Sequence, residues 1–393
     1  MIIIYINDFI FTDPSRKYYP FLEIIKYLKH KSYEVKLITT ELFIENEHSI
    51  NFKDYLRFIE RNSESFYLYR KNRLIHSLKI LIKGYPFFLF KNLMRFKNEN
   101  IVVHIVSGFF PILFGSIICK IFDIPFMMGP NAIPSKNLIF KNILDSRNYV
   151  FFIRDWLISR LPSHKIICLS GYHKSILRRQ FDIEKENLEI IHIGIEDNIF
   201  KKLKSDNIKK GVFNNDNKII LYVGTSEKEK GFNLFIRISK ELLNDGLKLN
   251  ILIIGLREEF LIKKLNKEFN DYKNNFKIIK WIPRSDLVKY YNIADLYINP
   301  SIDETWSMTT IEALSCGTPC ICSNIPIFRY HIKQNFNGLL FELNNDRDLI
   351  SKVKKGLNMN WDRKDISENA SKKYNWNKSI IKMITLYKKM IKK

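Results

Sequence analysis

Cysteine is scarce in this sequence, and that scarcity excludes one class of fold. Five cysteines in 393 residues, an odd number, cannot form the dense disulfide framework of small secreted domains and point to a reducing cytoplasm. Three of them, Cys316, Cys320 and Cys322, are close together, but their spacing is not that of a usual zinc site and no histidine completes a ligand set. We therefore expect small core-filling side chains and no metal.

Long hydrophobic runs are also missing. The longest apolar stretch, residues 109–119, reaches about half the length that a bilayer-spanning helix needs, and Pro111 and Gly115 interrupt it. The first six residues have no basic segment ahead of them and no small-residue cleavage site, so they predict a buried strand rather than a secretion signal. We expect no transmembrane helix.

Acidic residues are few relative to basic ones. The chain has 64 Lys and Arg against 41 Asp and Glu, which gives a formal net charge of +23. Its 46% hydrophobic and 27% charged residues are typical of a globular protein and exclude a mainly disordered chain. The positive excess indicates an anionic partner, and composition does not choose among nucleic acid, an anionic membrane and a phosphorylated small molecule.

Short β-branched runs alternate along the chain with longer amphipathic stretches, which predicts two doubly wound α/β domains. We predict an N-terminal Rossmann-like domain over residues 1–203, a polar linker over 204–218, a C-terminal Rossmann-like domain over 219–373 and a closing helix over 374–393 that crosses back to the first domain. The predicted strands are residues 2–6, 35–39, 101–106, 126–128, 166–169, 188–192, 219–223, 250–254, 276–280, 296–298 and 319–322. Ligands of such folds bind at the carboxyl ends of the strands, here in a cleft between the domains.

Residues 51–100 depart from this pattern. They carry 11 basic and 4 acidic side chains, a net charge of +7, interleaved with aromatic and aliphatic residues. One interpretation is an anionic membrane surface, and the other is a solvated insertion whose aromatics pack on the domain. The segment 372–393 holds eight Lys and no acid, and its apolar residues at helical spacing predict an amphipathic helix with a basic outer face.

Two segments carry residues suited to chemistry. Gly224 and Thr225 follow a predicted strand, and Lys230-Gly231 leads into a helix, so backbone N–H groups and one cation can meet an anion there. Residues 300–319 contain Glu304 and Glu312, separated by seven residues, with small and hydroxyl residues between them. N–H groups and a Lys suit a diphosphate, while carboxylates accept hydrogen bonds from sugar and ribose hydroxyls, which together favour a sugar nucleotide.

The order of these elements resembles the retaining glycosyltransferases of family four, which have the GT-B fold. The matching elements are Gly224, Lys230-Gly231, Ala294-Asp295, Pro300-Ser301, Glu304, Glu312-Ala313-Leu314, Cys316-Gly317-Thr318-Pro319 and Asn337-Gly338-Leu339-Leu340. The resemblance is dense after residue 218 and sparse before it. It implies an α/β fold with two doubly wound parallel-sheet domains facing a central cleft.

The resemblance also implies roles. Lys230 would hold the donor diphosphate, with Gly224 and Thr225 beside it, and Glu304 would contact the transferred sugar. Glu312 would bind the ribose. The remaining implied contacts are the backbone of Trp306, Ser307 and Met308 near the sugar and phosphate, and Ile282 at the base. No cofactor or metal is implied, and the donor is expected to be linked to UDP or GDP.

Two departures from the family pattern matter. Thr225 stands where the family has an Arg, and Thr305-Trp306-Ser307 replaces Gly-Phe-Gly, which we expect to narrow the sugar pocket. In the first domain Asn131 is a weak candidate for the cleft. His104 matches a family histidine but lies in a predicted strand, where a satisfied core histidine is the alternative interpretation.

The leading hypothesis is a cytoplasmic, metal-independent, retaining hexosyltransferase at the inner face of a membrane, with a nucleotide-sugar donor and a lipid-linked or surface-glycan acceptor. Three alternatives stay open. They are an inactive homologue acting as a partner subunit, a sugar-nucleotide epimerase or phosphorylase on the same fold, and a nucleic-acid-binding protein driven by the +23 charge. No recognised nucleic-acid module appears, so we expect no nucleic-acid partner.

Overall fold

In a computed structural model, the described residues are 1–7, 25, 27, 28, 30–39, 50, 51, 84–106, 109–129, 165–203 and 211–391. The chain divides into two compact units, Met1–Ile193 with Asn377–Lys393, and Gly194–Trp376. The predicted boundary at residue 203 and the linker 204–218 thus fall in the second unit, and part of that linker lies outside the described residues.

Apolar residues ahead of the polar stretch explain where the second unit begins. The Ile195 N–H donates to the Tyr374 carbonyl at 2.8 Å, and Phe200 is fully buried beside Tyr291. A Cβ on Gly194 would lie 2.6 Å from the Trp376 Cα, so only glycine permits this close approach. Composition marks the polar stretch after residue 200, whereas packing places residues 194–200 in the second unit.

The first unit is built on one sheet. Among the described residues its strands are β1 (Ile2–Asn7), β2 (Glu34–Thr39), β3 (Ile50–Asn51), β4 (Ile101–Ile105), β5 (Phe126–Met128), β6 (Lys165–Cys168) and β7 (Leu188–Ile190). They lie in the order β3-β2-β1-β4-β5-β6-β7, and all pair in parallel except β3 with β2. Its helices include α1 (Tyr85–Met94), α2 (Phe109–Ile121) and α3 (Gly171–Phe181). Strands buried on both faces have near-continuous apolar sequences, as β1 and β4 do.

The second unit has a parallel sheet in the order β10-β9-β8-β11-β12-β13. Its described strands are β8 (Lys218–Val223), β9 (Leu249–Leu256), β10 (Phe276–Lys280), β11 (Leu296–Asn299), β12 (Cys320–Ser323) and β13 (Gly338–Phe341). Its described helices are α4 (Phe232–Asn244), α5 (Glu259–Glu268), α6 (Arg284–Ile293), α7 (Met308–Ser315), α8 (Pro326–His331), α9 (Asp346–Asn358) and α10 (Arg363–Lys373). Apolar residues of α4 and α9 pack on the strands and form one core.

The closing helix, α11 (Trp376–Ile391), belongs to the first unit from Asn377 onward. Its Tyr387 hydroxyl is buried and lies 2.7 Å from the Tyr5 hydroxyl of β1, and Lys382 Nζ donates to the Ile190 carbonyl at 2.6 Å. These contacts fix the amphipathic helix that the sequence predicts. Within the described part of the chain, no helix is both long and apolar enough to cross a bilayer.

The α/β fold predicted from sequence is confirmed. Every predicted strand is present, with ends that differ by at most two residues, whereas the two-residue β3 and the four-residue β13 are not predicted. Their pairing with β2 and β12 defines them. All five cysteines are buried and have free thiols.

Candidate functional site

The loops that follow β8, β10 and β11 carry the predicted site residues of the second unit. Because these strands are parallel members of one sheet, the loops emerge at the same edge. Residues 224–231 follow β8, residues 281–283 follow β10, and residues 300–307 follow β11 and lead into α7. Sequence positions as distant as 224 and 312 therefore belong to one region of this unit.

Lys230 and Glu304 form the centre of this region. Lys230 Nζ lies 2.7 Å from Glu304 Oε1, and the Ser301 hydroxyl lies 3.4 Å from the same oxygen. The Lys230 side chain is 36% exposed and the Glu304 side chain 13%. An ion pair that is open to solvent on one side can exchange a partner for a bound anion or hydroxyl at modest cost. The two residues that the sequence ranks first are thus in direct contact.

Backbone contacts between two loops place this pair. The 3-10 turn Lys228–Lys230 ends at Gly231, whose φ is +66°, and a Cβ there would lie 2.0 Å from the Pro300 carbonyl oxygen. The Ile302 N–H donates to the Glu229 carbonyl at 2.9 Å. The loop after β8 is therefore held against the loop after β11, and glycine at position 231 permits that approach.

A buried amide organises the start of α7. Asn299 Nδ2 donates to the hydroxyls of Ser307 and Thr310 at 3.0 Å each, and Asn299 Oδ1 accepts from the Ser301 hydroxyl at 2.7 Å. Ser307 adopts the left-handed conformation, with φ 57°. That conformation favours glycine, which the family pattern has at this position. In this chain, hydrogen bonds to the Ser307 hydroxyl hold a serine in the same conformation. The first N–H groups of α7, from Met308, follow directly and have no acceptor inside the helix.

The Trp306 side chain is buried among other aromatic residues of the second unit. It is 2% exposed and packs edge-on against His331, with ring centroids 4.9 Å apart. His331 Nε2 donates to the Trp306 carbonyl at 2.7 Å, and His331 Nδ1 accepts from the Tyr374 hydroxyl at 2.7 Å. The Trp306 ring is therefore a core side chain, and the expectation that Thr305-Trp306-Ser307 narrows the sugar pocket stays a prediction.

Glu312 is almost completely buried, at 2% exposure. Arg284 Nε donates to Glu312 Oε1 at 2.7 Å, and the Tyr291 hydroxyl donates to Glu312 Oε2 at 2.9 Å. Burial, and then the nearby Glu312 carboxylate, raise the pKa of Tyr291, so its hydroxyl remains a donor. Sequence reasoning missed Arg284; its one signal is its position two residues after Ile282.

The remaining predicted residues of this unit lie nearby. The Gly224 N–H donates to the Ile254 carbonyl at 2.9 Å, which extends the β8–β9 pairing. The Thr225 hydroxyl donates to Glu227 Oε2 at 3.1 Å, and the Thr225 carbonyl accepts from the Tyr222 hydroxyl at 2.7 Å. Ile282 and Met308 are half-buried. Thr225 is therefore held by its own loop, and Lys228 in the same loop is exposed.

The two candidates of the first unit stand apart. His104 is fully buried, its Nε2 donates to the Gly129 carbonyl at 2.7 Å, and its Nδ1 accepts from the Tyr387 hydroxyl at 2.8 Å. Burial lowers its pKa to about 4. Both ring nitrogens have partners, which fits a core histidine and leaves neither for a sugar hydroxyl. Asn131 lies outside the described residues. Of the residues that are described, no group of three or more His, Cys, Asp and Glu could hold a metal ion.

Known proteins resemble this chain in sequence. Residues 204–373 match the model of the family described as glycosyl transferases group 1. An uncharacterized glycosyltransferase of Methanocaldococcus jannaschii is 24% identical over 389 residues, 95% of this chain and 96% of that protein. The UDP-Gal:alpha-D-GlcNAc-diphosphoundecaprenol alpha-1,3-galactosyltransferase of Escherichia coli is 22% identical over 213 residues, 52% of this chain and 54% of that protein.

Solved structures show the same fold at low identity. The crystal structure of Anabaena HepE in complex with UDP has a TM-score of 0.68 and 12% identity, and the match covers 99% of this chain and 100% of that chain. At this identity the likeness concerns the fold alone. It confirms the GT-B fold that the sequence resemblance implies.

Proposed function

We propose that this chain, whose residues 204–373 match the model of the glycosyl transferases group 1 family, is a retaining hexosyltransferase. It would move a hexose from a nucleoside diphosphate to a hydroxyl of a lipid-linked or surface glycan, with retention of the anomeric configuration. The observation that carries this proposal is the contact of Lys230 with Glu304 beside the start of α7. The name of the similar E. coli protein includes UDP and the similar Anabaena structure is a complex with UDP, which makes UDP the first nucleotide to test.

The chemistry follows from where charge develops. When the bond from the anomeric carbon to the phosphate oxygen breaks, negative charge grows on the departing diphosphate. The Lys230 ammonium and the N–H groups at the start of α7 would stabilise that charge, and fixed donors of this kind supply the largest share of many rate enhancements. In this proposal they take the place of a metal ion, and activity should therefore survive EDTA.

Glu304 would bind the sugar rather than the phosphate. Its carboxylate is 13% exposed and can accept hydrogen bonds from hexose hydroxyls once the diphosphate replaces it as the partner of Lys230. Retention requires the acceptor hydroxyl to attack the face from which the diphosphate leaves. The departing phosphate oxygen lies on that face and is the nearest base for the hydroxyl proton.

Thermal unfolding with UDP, GDP, ADP, CMP and their sugars tests the donor site. A nucleotide at about 100 times its dissociation constant adds ~2.7 kcal/mol to stability and should raise the unfolding midpoint by several degrees. Lys230→Ala removes a charge-assisted contact of about 1.5–3 kcal/mol, so affinity should fall about 10- to 150-fold. Lys228→Ala, in the same turn but exposed, is the matched control and should bind like the natural protein. Absence of a shift with every nucleotide would instead support the inactive partner subunit.

We also propose that the enzyme is cytoplasmic and binds peripherally to an anionic membrane through α1 and α2. Phe87 of α1 is 69% exposed and Ile121 of α2 is 68% exposed, and Lys91 and Lys120 lie on the same two helices. Exposed apolar side chains with neighbouring cations suit an anionic lipid surface, where each Lys adds about 1 kcal/mol. Of the predicted basic segment, residues 52–83 lie outside the described residues.

Co-sedimentation with vesicles tests this surface. Binding should be stronger to acidic than to neutral vesicles, and a Phe87→Ser/Ile121→Ser variant should lose most of it. Phe260→Ser is the matched control, because Phe260 is 82% exposed on α5 of the second unit. Equal binding to neutral and acidic vesicles would refute the electrostatic part, and equal loss in the control would refute the choice of helices.

A further inference from the structure

Arg284, the first residue of α6, lies between two carboxylates. Its Nε donates to Glu312 Oε1 at 2.7 Å, and its Nη1 donates to Glu196 Oε2 at 3.1 Å. The side chains of Arg284, Glu196 and Glu312 are 21%, 13% and 2% exposed. The most buried member is thus the carboxylate assigned to the ribose, and Arg284 is the cation that pairs with it.

Three separate parts of the chain build this cluster. The Arg284 guanidinium lies over the Phe200 ring, 4.7 Å from its centroid, and Phe200 is fully buried. Tyr291, seven residues after Arg284 on α6, is also fully buried and donates to Glu312 Oε2. A planar guanidinium held by two carboxylates and a ring face has little rotational freedom. The position of Arg284 is therefore set by the fold and not by one contact.

The buried carboxylate depends on this arrangement. Taking a carboxylate out of water is costly unless a charge partner and hydrogen-bond donors replace the water. Arg284 supplies the charge and one donor, and Tyr291 supplies the second donor. Each carboxylate oxygen accepts two hydrogen bonds, so one acceptor position on each Glu312 oxygen is left after these two.

We propose that Arg284 is a positioning residue for ribose recognition. It holds Glu312, with Glu196 as its anchor on the other side, in the orientation that accepts the ribose hydroxyls of the donor. Arg284 thereby gives the enzyme its preference for ribonucleotides over nucleotides that lack these hydroxyls. This inference rests on the proposed function, because it takes Glu312 as the ribose-binding carboxylate of a nucleotide-sugar site.

Calorimetric titration with UDP and with 2′,3′-dideoxy-UDP tests the proposal. A hydrogen bond to a charged group corresponds to a preference of about 10- to 150-fold, and we expect the natural protein to favour UDP by at least about 10-fold. Arg284→Gln should lower that ratio to within about 3-fold, because Glu312 loses its orientation. Arg284→Lys keeps the positive charge but lacks the forked guanidinium, so this variant should retain part of the preference for UDP. Arg237→Gln, which removes an exposed bidentate pair with Asp346, should leave the ratio unchanged.

The ratio of the affinities for UDP and 2′,3′-dideoxy-UDP separates a positioning role from a general loss of structure. If Arg284→Gln weakens both nucleotides by the same factor, the residue has only a structural role and the proposal is overturned. A natural protein that binds both nucleotides equally also overturns it, while leaving the donor site intact. Failure of the natural protein to bind UDP or any other nucleotide of the panel overturns the proposed function itself. Should Arg284→Gln not fold, Tyr291→Phe removes the other Glu312 donor at constant charge and should lower the same ratio.

Discussion

Mild acid should destabilise the first unit through a single residue, His104 in β4. The Gly129 carbonyl can only accept, so Nε2 of His104 carries the proton that it donates there, and Nδ1 accepts from the Tyr387 hydroxyl. Tyr387 in turn accepts from Tyr5. A second proton on the ring would place two donors face to face in a site that is fully buried. The folded protein therefore keeps His104 neutral.

The size of the effect follows from the two pKa values of this group. The pKa of His104 falls from 6.5 to about 4 on folding. Between these two pH values the unfolded chain binds a proton on this residue and the folded chain does not. Stability is unaffected well above pH 6.5 and is lost as the pH falls from there toward the folded pKa. Linkage gives a loss of about 2 kcal/mol near pH 5 and about 3 kcal/mol near pH 4 from this residue alone.

Urea unfolding followed by far-ultraviolet circular dichroism, at about pH 8, 5 and 4, measures this loss. The amide of His104→Gln can replace both hydrogen bonds but does not titrate. Between about pH 8 and pH 4, the unfolding free energy of this variant should therefore fall by about 3 kcal/mol less than that of the natural protein. His30→Gln, at an exposed histidine, should follow the natural protein. Parallel acid dependence in the natural protein and His104→Gln would refute the reasoning.

Three further predictions concern the second unit. Gly231→Ala should destabilise by more than about 3 kcal/mol and weaken nucleotide binding, since its Cβ would meet the Pro300 carbonyl; thermal unfolding and titration measure both. Ser307→Ala should be about 1 kcal/mol less stable than Ser307→Gly, because only glycine relieves the left-handed backbone; the reverse order would contradict this. His331→Phe should cost about 2–6 kcal/mol in denaturant unfolding, since the Trp306 carbonyl and Tyr374 hydroxyl lose their partner, while Tyr330→Phe should change little.

Local sequence was sufficient for most of the fold. Runs such as residues 2–6 and 219–222 are short, rich in β-branched residues and buried, and alternation with amphipathic helices leaves few arrangements other than parallel sheets. The start of the second unit was not predictable in this way. Ile195 and Phe200 look like the end of the first domain in the sequence, and only their contacts with Tyr374 and Tyr291 assign them to the second unit.

The candidate site divides in the same manner. Lys230 and Glu304 could be chosen from the sequence because a cation and a carboxylate at the ends of two strands of one parallel sheet must emerge on one edge. Trp306 could not be placed, since an aromatic residue in a loop can face either a pocket or the core, and its burial depends on His331 and Tyr374. The role of Thr225 in place of the family Arg stays a prediction.

The sequence by itself determined the element types, the two sheets and the residues that bear charge at the strand ends, because these depend on spacing over a few residues. Only the tertiary structure decided which charges meet. Arg284 and Glu196 are 88 positions apart and neither stands in a periodic pattern with Glu312, yet both lie within one cluster with it. Contacts between distant segments depend on how the loops pack across the sheet edge, and a pattern of neighbouring residues does not contain that information.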